Sequence, residues 1–205
     1  MFNIHEYIGQ NFKHPKGFGG KIATFFMNIQ NSKQYKSIID NIDIQPTDTV
    51  LDIGFGNGYL LNRLLTLQPH KMIGIDISRD MISYVSKKHQ DKVNKGKLNL
   101  YLADVHNLPL DNGSIDKAYS VNTVYFWQDI HKVFSEIQRV LKTGGLFLNV
   151  LYLQEWLDKL PASKHGYTKF TMDSIKNITN ESGLKIEQII EIQHKKSICI
   201  ISIKG

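Results

Sequence analysis

The sequence predicts an α/β fold: a doubly wound, mostly parallel seven-stranded sheet with an antiparallel edge strand. From residue 33 onward, helical and strand patterns alternate, which is typical of a sheet with helices on both faces. Segments 49–53 and 71–75 are almost continuously apolar, as strands buried on both faces are. Segments 185–192 and 196–203 leave almost no room between them for a crossover helix, so we expect them to pair antiparallel.

The individual elements follow from apolar periodicity and from the residues that flank each segment. The predicted helices each carry an apolar stripe at helical spacing, and they are 33–43, 58–67, 78–90, 129–141 and 171–182. The predicted strands are short apolar segments, and they are 49–53, 71–75, 97–102, 115–121, 146–151, 185–192 and 196–203. Ser78 and Thr171 are expected to cap the helices that they precede, and Gly183 is expected to end the last helix.

The first 32 residues differ in composition from the remainder, which we expect to form one globular domain over residues 33–205. Residues 1–32 are rich in aromatic residues and glycine, and Phe18 stands between two glycines. Glycines beside an aromatic residue suit a lid that closes over a binding site, so Phe18 is a candidate substrate contact. A disordered or partner-binding arm is the alternative.

Composition excludes several classes of protein. A chain of 205 residues with 41% apolar residues can bury a core without disulfides or a structural metal. Its single cysteine, Cys199, excludes an internal disulfide and a cysteine-based metal site, and its apolar neighbours predict burial. We expect no membrane span, because no apolar run reaches 18–20 residues. We expect a cytoplasmic location, because the start lacks a signal-peptide pattern.

The charge balance is mildly basic. Lys and Arg number 25 against 19 Asp and Glu, for a formal charge of +6. The dense cluster is formed by Lys87, Lys88, Lys92, Lys95 and Lys97. It fits either a solvated helix end or a surface for an anionic partner such as RNA, and both readings stay open.

The most informative segment is a glycine turn directly after the first predicted strand. It reads Asp52-x-Gly54-x-Gly56-x-Gly58, and a helix follows at once. Dinucleotide sites instead read Gly-x-Gly-x-x-Gly, which aims a helix N-terminus at a pyrophosphate. A carboxylate at residue 52 would repel a pyrophosphate but can hold an ammonium group. The turn therefore favours S-adenosylmethionine, which has no phosphate and carries both an ammonium and a sulfonium.

Two further acids follow the next two strands. Asp76 ends the second strand, where a carboxylate can accept hydrogen bonds from both ribose hydroxyls. Asp104 follows the third strand and could accept from the exocyclic amine of adenine. Each acid alone is also an ordinary helix cap or turn former. Acids at the ends of three successive strands favour one shared ligand.

These residues resemble the class I, Rossmann-like S-adenosylmethionine-dependent methyltransferases over about residues 45–151, and the version here is similar to the ubiquinone/menaquinone-biosynthesis branch. Residues 115–122 resemble the family's fourth strand, and residues 134–145 resemble the helix and turn before its fifth. The resemblance implies that the glycines bind the methionine part, Asp76 the ribose and Asp104 the adenine. The complete predicted cofactor site is Asp52, Gly54, Phe55, Gly56, Gly58, Asp76, Ile77, Asp104, Val105 and Asn122.

The sequence lacks features that several classes of methyl acceptor require, and this excludes those classes. The turn from Asn122 to Tyr125 lacks the two prolines typical of methyltransferases that act on base amino groups. Cys199 lies on the last predicted strand, away from a site for pyrimidine C5 chemistry, and Glu155 lacks the second glutamate that a guanidinium would need. We therefore expect in-line transfer to an O, N or activated C atom of a small molecule. An RNA or protein methyltransferase and a non-catalytic cofactor sensor are the alternatives.

The acceptor is expected to meet the methyl group above strands four and five. Tyr125 and Trp127 are candidate walls of that pocket, although aromatic residues at a helix start often serve packing alone. Segment 152–170 is a second candidate wall, and it contributes His165 and Tyr167. Tyr125, His165 and Tyr167 are the candidate catalytic bases, if a base is used. No metal ligand is predicted.

Overall fold

The structure is a computed structural model that describes residues 31–164 and 166–205. Most of the predicted lid, including Phe18, and the candidate base His165 lie outside these residues. The strands of the described part are β1 Thr49–Ile53, β2 Lys71–Asp76, β3 Leu98–Leu102, β4 Ile115–Val121, β5 Leu141–Tyr152, β6 Leu184–Gln193 and β7 Ser197–Lys204. These strands form one seven-stranded sheet in the order β3-β2-β1-β4-β5-β7-β6, which confirms the predicted fold class.

The helices of the described part cover both faces of the sheet. They are α1 Ser32–Asn41, α2 Tyr59–Leu65, α3 Arg79–Lys88, α4 Gln90–Asn94, α5 Ile130–Val140, α6 Gln154–Leu157 and α7 Met172–Glu181. Short 3₁₀ turns span Val124–Phe126 and Pro161–Ser163. Helices α1, α2 and α3 contribute to the core on one face, and α5 and α7 to the core on the other. Among the described helices, none is long and apolar enough to cross a bilayer.

The predicted helix ends are confirmed. The Ser78 hydroxyl accepts the Met81 N–H at 3.4 Å, and the Thr171 hydroxyl accepts the Ser174 N–H at 3.1 Å. Gly183 has a φ of +83° directly after α7, the left-handed conformation that glycine adopts most easily. Local side-chain chemistry therefore sets these boundaries.

The last two strands pair antiparallel, as predicted. β7 pairs antiparallel with both β5 and β6, while the neighbours from β3 to β5 pair parallel. The reversed strand is therefore β7, which lies one place inside the edge strand β6. A tight turn brings it there, because the Lys196 N–H donates to the Gln193 carbonyl at 2.9 Å.

Most boundaries lie within two residues of the prediction, and two differences have a clear structural cause. β5 begins at Leu141 rather than residue 146, because Leu141 already pairs with Ile115 before the chain turns at Gly144, whose φ is +77°. The helix predicted over 78–90 ends at Lys88, and α4 begins at Gln90. His89 has a φ of −120° and breaks the helical path between them.

The sheet separates two cores. Leu51, Phe134 and Phe147 lie in the core on the α5 and α7 side. Cys199 lies in the other core, fully buried as predicted, and burial raises the pKa of its thiol to about 12. Because five parallel strands end at the same edge of the sheet, the loops after them meet there.

Candidate active site

The glycine turn joins β1 to α2 with a positive φ at all three glycines: +73° at Gly54, +53° at Gly56 and +68° at Gly58. A Cβ at Gly54 would lie 2.5 Å from Thr123 Cγ2, and one at Gly58 would lie 2.8 Å from Val85 Cγ2. A Cβ at Gly56 would have nothing within 4 Å. Two glycines are therefore required by packing, whereas the third leaves open space above the backbone.

Asp76 holds the glycine turn in place. Its Oδ2 accepts the Gly56 N–H at 2.9 Å, and its Oδ1 accepts the Ser78 N–H at 2.8 Å. The carboxylate thus ties the turn after β1 to the start of α3. Sequence reasoning anticipated an acid here for a ligand but not this second task, which depends on a contact 20 residues apart.

Asp52 is a buried carboxylic acid paired with a tyrosine on the neighbouring strand. The Tyr119 hydroxyl donates to Asp52 Oδ2 at 2.5 Å, and Asp52 is only 4% exposed. Burial raises the pKa of Asp52 to about 8 despite this hydrogen bond, with a smaller contribution from Asp76. Tyr119 was missed by sequence reasoning, although a tyrosine inside a buried strand signals a partner for its hydroxyl.

Asp104 is held by the histidine two residues later. Its Oδ1 accepts the His106 backbone N–H at 2.9 Å and lies 2.5 Å from His106 Nδ1. His106 Nε2 in turn accepts the Asp129 N–H at the start of α5. The His106 backbone N–H, with help from its ring, lowers the pKa of Asp104, whose side chain is 66% exposed. An ionised carboxylate is therefore presented at a fixed position.

A cavity of about 670 Å³ brings these groups together at the carboxyl ends of the strands. The predicted cofactor residues that line it are Asp52, Gly54, Phe55, Gly56, Asp76, Ile77, Asp104, Val105 and Asn122. Gly58 was predicted with them but does not line the cavity, because it lies behind the turn against Val85. Ile77 is 60% exposed at the cavity, which is unusual for a large apolar side chain.

The cavity extends beyond the acids to an end lined mainly by rings and apolar side chains. The predicted residues at this end are Tyr125, Trp127 and Tyr167. Phe126 lies between two predicted ring residues, Asn31 belongs to the predicted lid, and the predicted wall segment 152–170 contributes Tyr152, Leu157, Leu160, Pro161 and Ser163. Sequence reasoning missed Tyr35 and Tyr59. The residues at this end come from segments far apart in the sequence.

The Tyr125 hydroxyl is fully engaged within the protein. It accepts the Tyr152 backbone N–H, and it donates toward Asn122 Oδ1 at 3.0 Å and the Tyr152 carbonyl at 3.3 Å. Burial raises the pKa of Tyr125 well above 10 and also raises the pKa of Tyr167. Neither phenol is ionised near neutral pH, which is a poor setting for a general base.

Three rings pack together at this end of the cavity. The ring of Tyr167 lies 5.6 Å from Tyr125 and 4.9 Å from Phe126, measured between ring centres. The Thr168 N–H donates to the Tyr125 carbonyl at 3.0 Å and fixes the segment after residue 165 against the 3₁₀ turn. The segments after β4 and β5 therefore build one wall together.

The lysine cluster lies away from the cavity. Its members lie in the last turn of α3, in α4 and just before β3, and they are Lys87, Lys88, Lys92, Lys95 and Lys97. Lys97 Nζ donates to the carbonyl of His70, just before β2 begins. These are the amino ends of the parallel strands, whereas the cavity is at the carboxyl ends.

This fold and this cavity define a Rossmann-like methyltransferase. The methyltransferase domain family matches residues 51–149. This span includes the glycine turn, the three acids and most of β5. The chain belongs to the class I S-adenosylmethionine-dependent methyltransferases. The similarity to the ubiquinone/menaquinone-biosynthesis branch stays a prediction.

Individual relatives agree with this family. The chain is 28% identical to an O-methyltransferase of Pyrenophora dematioidea over 84% of its own length and 68% of the relative's. It is 30% identical to the uncharacterized methyltransferase YdaC of Bacillus subtilis over 60% of its length and 67% of the relative's. Geranyl diphosphate C-methyltransferase from Streptomyces coelicolor superposes with a TM-score of 0.76 at 13% identity, covering 98% of each chain, which shows a shared fold.

Proposed function

We propose that this protein transfers a methyl group from S-adenosylmethionine to a small-molecule acceptor by in-line displacement. The observation that carries this proposal is that acids from the ends of β1, β2 and β3 line one cavity with the glycine turn. The same cavity continues past these acids into a second, aromatic end. It therefore offers space for an acceptor beside the cofactor, which a simple cofactor sensor would not need.

The residues at the acidic end fit this cofactor. The open space above Gly56 suits a ligand that approaches the backbone closely. Asp76 lines the cavity while it braces the turn, and its carboxylate would accept from the ribose hydroxyls. Ile77 and Val105 would cover the two faces of adenine, and the exposed carboxylate of Asp104 would accept from the adenine amine.

Asp52 and Asn122 would bind the methionine part of the cofactor. Asp52 would hold the ammonium group, and its own position is fixed by Tyr119. Asn122 has a φ of +58° and donates its backbone N–H to the Val150 carbonyl at 2.9 Å. Its side-chain Nδ2 is buried and has no partner in the part of the chain that the structure describes. A bound molecule would supply that partner.

The protein's main contribution to methyl transfer is to align the acceptor and to exclude water. The bound cofactor supplies a methyl group on a sulfonium, which is already a strong electrophile. The rings at the aromatic end would exclude water and hold the acceptor in line with that methyl group. Since the phenols of Tyr125 and Tyr167 are not ionised near neutral pH, we propose that both position the acceptor rather than take its proton. The acceptor atom is O, N or an activated C.

Calorimetric titration with S-adenosylmethionine tests the cofactor site. Asp76→Ala removes both the brace on Gly56 and the proposed ribose contacts, so its Kd is expected to rise about 100-fold. Asp80→Ala is the matched control, because Asp80 is an exposed acid on α3 that does not line the cavity. Equal affinity for wild type and Asp76→Ala would refute the assignment. Release of the demethylated cofactor then reads out acceptor screens.

Methylation of a macromolecule such as RNA is the alternative function, and the position of the lysine cluster is evidence against it. RNA held by Lys87, Lys88 and Lys92 would bind at the opposite end of the sheet from the cavity. Binding of RNA that weakens steeply with salt and disappears when these lysines are neutralised would favour that reading.

We also propose that residues 1–32 act as a lid on the domain formed by residues 33–205. Asn31, the first described residue, lines the cavity, and so does Tyr35 on the first turns of α1. The chain therefore leaves the predicted lid directly at the cavity. Deleting residues 1–30 is expected to raise the KM for the acceptor more than the Kd for the cofactor.

A further inference from the structure

We infer that the methyl acceptor is an uncharged, largely apolar molecule with a planar ring, bound in the aromatic end of the cavity. This inference rests on the proposed function, because it concerns the second substrate of the same site. Its basis is the chemistry of the cavity wall beyond the cofactor residues. Three properties of that wall favour such an acceptor: its apolar composition, the pairing of its hydroxyl groups within the protein, and the absence of an available cation among its described residues.

The wall is made of rings and apolar side chains. The ring wall, as we name it, consists of Tyr125, Phe126, Trp127, Tyr152, Leu157, Leu160, Pro161 and Tyr167. Among all cavity-lining residues that the structure describes, none is a lysine or an arginine. The three aspartates are spread along the cofactor end, so they do not define a charged site for the acceptor.

Three hydroxyl groups at the aromatic end of the cavity are turned toward the protein. The Tyr125 hydroxyl exchanges hydrogen bonds with Asn122 and Tyr152. The Tyr152 hydroxyl donates to Gln34 Oε1 at 3.1 Å. The Ser163 hydroxyl bonds to carbonyls of its own turn. Since these groups are already paired, the surface that they leave to a ligand is mostly carbon.

Lys159 and Lys164 are close in sequence to the ring wall, but both are exposed and neither lines the cavity. Two further lysines are engaged elsewhere. Lys169 forms an ion pair of 2.8 Å with Asp158, and Lys196 lies 4.0 Å above the ring centre of Trp156. Neither lysine lines the cavity. A phosphate or carboxylate on the acceptor would lose its water without gaining a partner, which is strongly unfavourable.

A cationic acceptor is disfavoured for a different reason. The acceptor must approach the sulfonium of the bound cofactor, and two positive charges repel each other strongly in a dry cavity. Apolar burial remains as the main source of affinity. The rings of Tyr125, Phe126 and Tyr167 pack edge-on or tilted against one another, and such a cluster favours an aromatic partner, because aromatic pairs gain energy beyond the area that they bury.

Three probes that share one ring test the inference. After the binding of S-adenosylhomocysteine has been measured, naphthol, naphthyl phosphate and naphthylmethylamine are titrated calorimetrically into the full chain saturated with sinefungin, a cofactor analogue whose ammonium group stands in place of the sulfonium. We expect naphthol to bind at least about tenfold more tightly than either charged probe. Leu160→Lys places a cation at the ring wall and is expected to tighten naphthyl phosphate and weaken naphthylmethylamine. Leu67→Lys, at an exposed leucine outside the cavity, is the control and should change neither.

The outcomes separate this inference from the proposed function. A charged probe that binds as tightly as naphthol, or the absence of binding by all three to the saturated protein, overturns the inference. A Leu160→Lys variant whose preference equals that of wild type also overturns its location. Failure to bind S-adenosylhomocysteine, measured first, instead refutes the proposed function. If naphthol binds but no ring acceptor is methylated, the apolar pocket is supported and the proposed enzymatic function is refuted.

Discussion

The two ends of the cavity are built on different principles. At the cofactor end, backbone N–H groups and carboxylates lie at fixed positions because each follows the end of a strand. At the acceptor end, side chains from four separate segments meet, and their polar atoms are paired with each other. The first end recognises a ligand by placed polar groups, and the second by shape and apolar area. Substitutions at the cofactor end should therefore change the Kd of the cofactor, whereas substitutions at the acceptor end should change the KM of the acceptor.

The largest effects are expected within the glycine turn. Gly54→Ala and Gly58→Ala each force a Cβ to within 2.8 Å of a neighbouring side chain, so we expect losses of about 3 kcal/mol in the free energy of unfolding. Gly56→Ala meets no neighbour and should lose only about 1 kcal/mol through its φ of +53°, yet weaken the cofactor about 100-fold. Urea unfolding and calorimetry measure the two quantities.

Gly96→Ala controls for backbone strain in this series. Gly96 has a φ of +65°, nothing within 4 Å of its Cβ position and no place in the cavity. It should match Gly56→Ala in stability and wild type in affinity. If Gly56→Ala binds the cofactor as well as Gly96→Ala does, the turn is not a ligand site.

Asp52 is expected to couple cofactor binding to proton release. Because the pKa of Asp52 is raised to about 8, the acid is mainly protonated at pH 7, and an incoming ammonium group favours the carboxylate. We expect about one proton to be released per cofactor bound at pH 7, and the affinity to rise as pH increases toward 8. Calorimetry in buffers of different ionisation enthalpy measures this release, which Asp52→Asn should abolish with about a tenfold loss of affinity.

The same residue sets a pH dependence of stability. An unfolded chain ionises Asp52 near pH 4, whereas the folded protein keeps the proton up to about pH 8. This group therefore lowers stability as pH rises from about 4 to 8. Relative to wild type, Asp52→Asn should be more stable at pH 9 than at pH 5. A constant difference in Tm across that range would contradict the raised pKa.

Tyr125→Phe distinguishes a positioning group from a base. Loss of the hydroxyl breaks its bonds to Asn122 and Tyr152, so we expect about 1–2 kcal/mol less stability and a higher KM for the acceptor. The kcat should stay within about threefold, since a general base would contribute about 100-fold or more. Tyr167→Phe serves as the parallel variant. A kcat collapse in either variant would restore that tyrosine as a base.

The smallest effect is expected at His106, which fixes the Asp104 carboxylate. His106→Ala should raise the cofactor Kd about threefold to fivefold by freeing that side chain, with little change in acceptor KM. His131→Ala is the control, because His131 is an exposed histidine on α5 outside the cavity. An equal response in both variants would remove the positioning role.

Much of the fold could be predicted because its signals are local. The bounds of β1 and β4 were predicted to the residue, since clear breaks flank each segment in the sequence. The early start of β5 was missed because it depends on Leu141 pairing with Ile115, a contact between distant residues. The break at His89 was missed because neither glycine nor proline marks it in the sequence.

The candidate site divides in the same way. The acids and glycines of the cofactor end were predictable because strand ends are visible in the sequence. The partnership of Tyr119 with Asp52, and the contribution of Tyr35 and Tyr59 to the cavity, were not. Segment 152–170 was predicted as a wall, but the sequence does not show which of its residues face the cavity. These contacts arise only when separate strands and loops meet, and no local pattern encodes them.

The place of β7 inside the sheet also bears on how the chain folds as it leaves the ribosome. β6 is synthesised before β7, yet among the strands that the structure describes β6 is bonded only to β7. Until residues 197–204 emerge, the isoleucines of β6 belong to a strand without a partner, which is the kind of segment that aggregates. The nascent chain is therefore prone to aggregate between the synthesis of β6 and that of β7, and chaperones that shield apolar strands would act then.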